Sequence, residues 1–138
     1  MQEISSFLST HPVANYAAYL AFCTLAWSLS LFIYEKATPC KEWSMVAQGN
    51  KAAAWSIGGV AIGLAIPLCS LALRSDGWVE LATWSAASLA SQIFIWFALG
   101  HTVFSQLKAS MEKDVESVGM LLGAFAVSIG LMVGACVS

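Results

Sequence analysis

Apolar residues occupy four long blocks of the chain, and short polar stretches separate the blocks. They cover about residues 13–34, 52–73, 78–100 and 117–137. A helix of roughly 20 apolar residues is long enough to cross the hydrocarbon core of a bilayer. The pattern therefore predicts an all-α membrane protein, a single integral domain over residues 1–138. It has four transmembrane helices, with short amphipathic segments between the first and second and between the third and fourth.

The composition supports a membrane protein and excludes a nucleic-acid-binding one. Hydrophobic residues make up 59% of the chain and charged residues 10%, whereas soluble domains average about 25% charged residues. With a net charge of −2, the chain lacks the basic surface that nucleic-acid binding requires. The lipid bilayer is the partner that this composition indicates.

The segment between the first two blocks predicts an elbow, in which a short surface helix leads into the second transmembrane helix. Thr38 is expected to cap the short helix, and Pro39 suits its first turn. Gly49 is expected to end that helix in the left-handed conformation. Asn50 then lies where the second transmembrane helix needs an N-cap.

Small residues at four-residue spacing predict close packing between transmembrane helices. Such residues let two helix backbones approach each other in lipid. In the second half, Asp114 or Ser117 is expected to cap the last helix. The residues assigned to helix packing are Ala54, Gly58, Gly63, Gly119 and Gly123.

The two halves of the chain resemble each other, with an offset of 65 residues. Each has an aromatic-rich span, an amphipathic segment and a span rich in small residues, so repeat 1 covers about 13–73 and repeat 2 about 78–137. Because each repeat has two spans, both have the same membrane orientation. The pattern predicts two parallel-repeated helical hairpins.

The basic residues predict the orientation in the membrane. Five of the six lysines and arginines lie in the first and third loops, and Arg74 lies in the middle loop. Short loops that are rich in lysine and arginine stay on the cytoplasmic side. We therefore expect a multi-pass protein with both termini in the periplasm.

Several short stretches carry a resemblance to a known family. They are Tyr-Glu-Lys-Ala-Thr-Pro at 34–39, Glu-Trp at 42–43, Gly-Asn-Lys-Ala-Ala-Ala at 49–54, Gly-Gly at 58–59 and Gly-Leu-Ala-Ile-Pro-Leu at 63–68. The sequence resembles the YjfL-like bacterial inner-membrane proteins, grouped as domain of unknown function 350. The resemblance implies a bacterial inner membrane, a four-helix layout and two copies of a two-helix unit, and it supplies no enzymatic activity. It also suggests a link to envelope stress, since the family's genes often neighbour membrane-stress functions.

The sequence offers no pattern typical of an enzyme or a metal site. It has no pair of closely spaced histidines and neither H-E-x-x-H nor G-x-S-x-G. Glu35, Cys40, Glu42 and His101 lie near the cytoplasmic edge, but they lack the short ligand spacing of a metal site. We therefore expect no catalysis, no metal and no cofactor.

Three polar residues share one face of the third span. Ser85, Ser88 and Gln92 follow each other at helical spacing. They line a narrow pore if several chains meet there, or they form hydrogen bonds between helices. Two functional hypotheses follow. One is a homo-oligomeric channel or transporter-like component linked to envelope stress. The alternative is a non-conducting anchor or scaffold that recruits a cytoplasmic stress-protein partner.

Overall fold

A computed structural model describes residues 12–38, 41–74, 77–102 and 108–137. These residues form six α-helices and confirm the predicted all-α fold. The helices are α1 (Pro12–Ala37), α2 (Glu42–Ala47), α3 (Lys51–Arg74), α4 (Trp78–Thr102), α5 (Lys108–Glu112) and α6 (Glu116–Cys136).

Among the described residues, four helices are long and apolar enough to cross a membrane: α1, α3, α4 and α6. Their bounds lie close to those of the predicted blocks, and α1 differs most because it continues to Ala37. Pro67 lies inside α3, which nevertheless forms one helix from Lys51 to Arg74. The short helices α2 and α5 each precede a spanning helix, as the elbow pattern predicts.

The most extensive contact in the bundle joins α3 to α6. A Cβ added at Gly59 would overlap the backbone of Gly123, and one at Gly119 would overlap the backbone of Ala52. The contact pairs advance together along both helices, so α3 and α6 run parallel. These pairs are Ala52 with Gly119, Gly59 with Gly123, and Gly63 with Gly130.

The packing face of α3 differs from the predicted one. A Cβ added at Gly58 would meet nothing within 4 Å, and Ala54 is exposed. The prediction of close packing is therefore wrong for these two residues. Gly63 lies against α6 as predicted, and Gly59 lies there in place of Gly58. Gly119 and Gly123 of α6 do lie in this contact, as expected.

The helices α1 and α4 pack around the α3–α6 pair with fewer contacts. A buried cluster of Leu31, Val60, Leu64 and Ala126 joins α1, α3 and α6, and Trp27 of α1 donates a hydrogen bond to the carbonyl of Ala61, 2.9 Å away. At the end of the bundle opposite the elbows, the Trp78 ring contacts two aromatic rings of α1, those of Tyr19 and Phe22.

Candidate functional site

The first elbow has the local structure that its sequence predicts at two positions. Gly49 takes a φ of +87°, and the N–H of Asn50 donates to the carbonyl of Met45 at 3.0 Å. The Asn50 side-chain oxygen then accepts a hydrogen bond from the N–H of Ala53 at 2.7 Å. Asn50 therefore caps α3 at the point where the chain turns back into the membrane.

The start of α2 differs from the prediction. The helix begins at Glu42, and Lys41 before it makes no side-chain capping hydrogen bond. Thr38 does not cap α2, because α1 extends to Ala37 and the Thr38 hydroxyl donates to the carbonyl of Tyr34 instead. The same carbonyl also accepts the backbone N–H of Thr38 at 2.9 Å, so Thr38 closes the last turn of α1. Pro39 lies outside the described residues.

The two elbows are joined by hydrogen bonds across the bundle. The Asn50 amide donates to the carbonyl of Met111 at 2.9 Å. The Ala52 N–H donates to the Asp114 carboxylate at 3.0 Å, and the Trp55 ring nitrogen donates to Glu116 at 3.1 Å. Both elbows therefore lie at the same end of the bundle and form one continuous surface.

Asp114 and Ser117 do not cap α6, contrary to the sequence-based prediction. The residue before the helix is Val115, which makes no side-chain capping hydrogen bond. Asp114 caps α3 instead, because the close contact between α3 and α6 brings its carboxylate to the unpaired N–H of Ala52. The first turn of a helix favours such a negative charge.

The second elbow repeats the turn of the first, 65 residues later. Asp114 takes a φ of +57° where the first elbow has Gly49. The N–H of Val115 donates to the carbonyl of Ser110, as that of Asn50 does to Met45. Duplication of the whole hairpin stays a prediction, but the turns at the two elbows are alike.

Glu42 is a buried carboxyl at the end of the bundle that holds the elbows. Only 2% of its surface is exposed. Its Oε1 accepts hydrogen bonds from the Tyr34 hydroxyl at 3.3 Å and the Ser56 hydroxyl at 3.2 Å. Its Oε2 has no hydrogen-bond partner among the described residues. Three helices meet here, since Tyr34 belongs to α1, Glu42 to α2 and Ser56 to α3.

The environment of Glu42 favours its protonated form. Burial raises the pKa of Glu42 from an ordinary 4.5 to about 7, since a charge in an apolar environment loses its hydration. The hydrogen bonds from Ser56 and Tyr34 lower the pKa in part, and the negative charge of Glu35 raises it. The carboxyl therefore titrates near neutral pH.

The polar face of α4 points into the bundle of a single chain. Ser85, Ser88 and Gln92 are each 2% exposed. The Ser88 hydroxyl donates to the carbonyl of Ser85 at 3.0 Å. The hydroxyl of Ser85 and the amide nitrogen of Gln92 have no partner among the described residues. A pore between several chains would need this face on the outside, whereas in the single chain the face lies in the interior.

The polar face of α4 and the Glu42 carboxyl are linked through two aromatic rings. The Tyr34 ring packs edge-on against Trp96 with 5.8 Å between centroids, and the Tyr34 hydroxyl reaches Glu42. Gln92 precedes Trp96 by one helical turn and so lies on the same face of α4. Buried polar groups thus extend from the elbows toward the middle of the 25-residue α4.

Sequence reasoning did not single out Glu42 as a site residue, although it noted Glu42 near the cytoplasmic edge. Tyr34, Glu42 and Ser56 come from three helices, so no spacing within one helix could reveal their contact. Within the described part of the chain, no group of three or more His, Cys, Asp and Glu residues could hold a metal ion. Cys40 and the side chain of His101 lie outside the described part of the structure.

Comparison with known proteins places the chain in a family. Residues 7–137 match the family described as Domain of Unknown Function (DUF350). The chain belongs to the DUF350 family. The resemblance found in the short sequence motifs is thereby confirmed. No solved structure matches the chain.

Two curated relatives cover most of the chain. UPF0719 inner membrane protein YjfL of Escherichia coli K12 is 28% identical over 123 residues, which are 89% of this chain and 92% of the relative. UPF0719 transmembrane protein YshE of Bacillus subtilis 168 is 25% identical over 116 residues, 83% of this chain and 85% of the relative. With its four apolar helices, the chain is an integral membrane protein of this inner-membrane family.

Proposed function

We propose that this protein is a transporter-like membrane component whose path runs inside the four-helix bundle of one chain. The observation that carries the proposal is the buried polar face of α4. Its Ser85 hydroxyl and the Gln92 amide nitrogen are buried and have no hydrogen-bond partner in the part of the chain that the structure describes. An unpaired amide in an apolar interior costs several kcal/mol. Water or a small polar solute would remove that cost.

The packing of the bundle suggests which parts open. Glycines in α3 and α6 let the backbones of these two helices pack in direct contact. By contrast, α1 and α4 make fewer contacts. Only 11% of the residues in the apolar stretch of α1 are buried. A path between the rigid pair and α4 would therefore open by movement of α1 or α4. Movement of a solute along this path would need neither a catalytic step nor a cofactor.

Flux into liposomes tests the proposal. Proton and potassium entry would be measured with entrapped dyes for the parent, for Gln92→Leu and for Thr83→Val. Gln92→Leu removes the interior amide and should lower flux at least several-fold while the protein stays folded. Thr83→Val removes an exposed hydroxyl that donates to the carbonyl of Val79 within the same helix, so it serves as the matched control. Parent protein without flux of either ion, at any membrane potential, would overturn the proposal.

We further propose that copies of the chain assemble in the inner membrane and act in envelope stress. The small buried share of α1 leaves most of that helix free to contact lipid or another copy. The stress link is supported by the family resemblance alone. The mass of the detergent-solubilised protein tests assembly, and a monomer at all concentrations would reject it.

A second candidate function is a non-conducting anchor that recruits a cytoplasmic protein. The observation in its favour is the surface formed by both elbows, which three hydrogen bonds hold together. Trp43 is 49% exposed on this surface. In-cell crosslinking from position 43 should capture a cytoplasmic protein if the surface recruits one. An anchor would show this adduct without any flux in liposomes.

A further inference from the structure

The Glu42 carboxyl has only half of its hydrogen-bonding capacity satisfied. Its Oε1 accepts two bonds, and both are longer than the usual 2.5–3.0 Å for two oxygens. Its Oε2 is buried without a partner among the described residues. A charged carboxylate in this position would leave one oxygen unpaired in an apolar environment, which is costly. A proton on Oε2 removes the charge.

Among the described residues around Glu42, none supplies a compensating positive charge. From α1 it faces Tyr34 and the like-charged Glu35, and from α3 it faces Ser56. The basic residues nearest in sequence are all exposed, whereas Glu42 is buried; they are Lys36, Lys41 and Lys51. The site therefore resembles a proton site more than an ion pair.

We propose that Glu42 binds a proton at the elbow end of the polar path and that this proton is coupled to transport along the path. The second part rests on the proposed function, and the first part does not. On binding, the carboxylate takes a proton from water onto Oε2, and its charge changes from −1 to 0. Tyr34 and Ser56 continue to donate to Oε1. Release returns the same proton to water.

The two protonation states of Glu42 differ in the hydrogen-bond partners that Oε2 requires. Protonated Glu42 is neutral and fits a closed, dry contact between α2 and α3. Ionised Glu42 requires water or a cation at Oε2, which favours entry of water between these helices. Because the Tyr34 ring packs against Trp96, a change at Glu42 can reach the helix that carries Gln92.

Infrared difference spectroscopy of the detergent-solubilised parent measures the proton directly. A pH titration should show the C=O stretch of a protonated carboxyl that disappears with a midpoint near 7. Glu42→Gln should remove this band, whereas Glu116→Gln, which alters an exposed carboxyl, should keep it. Tyr34→Phe and Ser56→Ala each remove a hydrogen bond to Oε1 and should move the midpoint to higher pH. Absence of a titrating band that Glu42→Gln removes, or a midpoint unmoved in both Tyr34→Phe and Ser56→Ala, would overturn the proton site.

Flux measurements on the same proteins separate this inference from the proposed function. Parent flux that varies with pH, and Glu42→Gln flux that no longer varies, would support coupling. Equal pH profiles for the two proteins would overturn coupling and leave the transporter intact. A titrating Glu42 band together with no parent flux would overturn both transport and coupling, while the proton site would stand.

Discussion

Glu42 links the stability of the protein to pH. Its carboxyl is buried in the folded protein and solvated in the unfolded one. Since burial raises its pKa to about 7, the folded state binds a proton between pH 4.5 and 7 that the unfolded state has already released. The contribution of Glu42 is therefore complete below pH 4.5 and is lost as the pH rises to about 7.

Thermal unfolding in detergent at a series of pH values measures how much Glu42 contributes to stability. Between pH 4.5 and 7, each pH unit changes the free energy of unfolding by about 1.4 kcal/mol, so the total change is about 3 kcal/mol. Glu42→Gln, which stays neutral, should lose this part of the pH dependence and gain stability relative to the parent above pH 7. A parent and a variant whose difference in stability is the same at pH 4.5 and pH 8 would contradict the assignment.

For single residues, turns and caps within one segment could be predicted, whereas hydrogen bonds between distant helices could not. The left-handed turn at Gly49 and the cap at Asn50 involve residues within one or two turns, so the sequence indicates them. The bond from Ala52 to Asp114 joins residues 62 positions apart. A carboxylate before a helix suggests a cap for that helix, and only the packing of α3 on α6 shows that it caps another.

At the scale of the helices, two adjacent glycines of α3 should respond to the same substitution in opposite ways. Gly58→Ala adds a methyl group where nothing lies within 4 Å, and alanine favours the helix, so stability should rise by about 0.4–1 kcal/mol. Gly59→Ala places its methyl group inside the backbone of Gly123. It should destabilise the protein by about 1–3 kcal/mol.

Thermal unfolding of the two single variants tests this prediction, and each serves as the control for the other. The same order should appear in several detergents, since it depends on contacts within one chain. If Gly59→Ala proved as stable as Gly58→Ala, the parallel α3–α6 contact would not have the geometry described.

The helices themselves could be predicted from the apolar blocks, but the contact face of α3 could not. Length and hydrophobicity determine which segments cross the bilayer. In lipid, the hydrophobic effect does not distinguish the two sides of such a helix, so the contact face depends on small residues. Both Gly58 and Gly59 met that criterion. The structure places Ala52, Gly59 and Gly63 in the contact with α6, and Gly58 outside it.

At the scale of the whole molecule, both elbows should lie in the cytoplasm. They occupy the same end of the bundle and carry most of the basic residues, which stay on the cytoplasmic side. Single cysteines would replace Lys41, Lys113 or Arg74 in a protein without native cysteines. A membrane-impermeant thiol reagent added to intact cells should label position 74 only. Labelling of position 113 from outside would reject the orientation.

The number of spans and the presence of a short segment before the second and fourth spans could be predicted from the sequence, because each depends on stretches of neighbouring residues. The pairing of α3 with α6 and the inward direction of the α4 polar face could not. They depend on how four similar apolar helices rotate about their axes. Gln92 was singled out correctly as a buried polar group, but its position inside one chain required the structure.

Water should reach the buried polar face of α4 inside a single chain. Thiol accessibility measures this, with Ser88→Cys and Ala90→Cys compared in the protein without native cysteines. Ser88 is 2% exposed on the interior face, whereas Ala90 lies at similar depth on an exposed face of α4. In liposomes, a small charged thiol reagent should modify position 88 and leave the lipid-facing position 90 unmodified. If position 88 reacts no faster than position 90, while both react fully after unfolding, the interior is dry and this prediction is wrong.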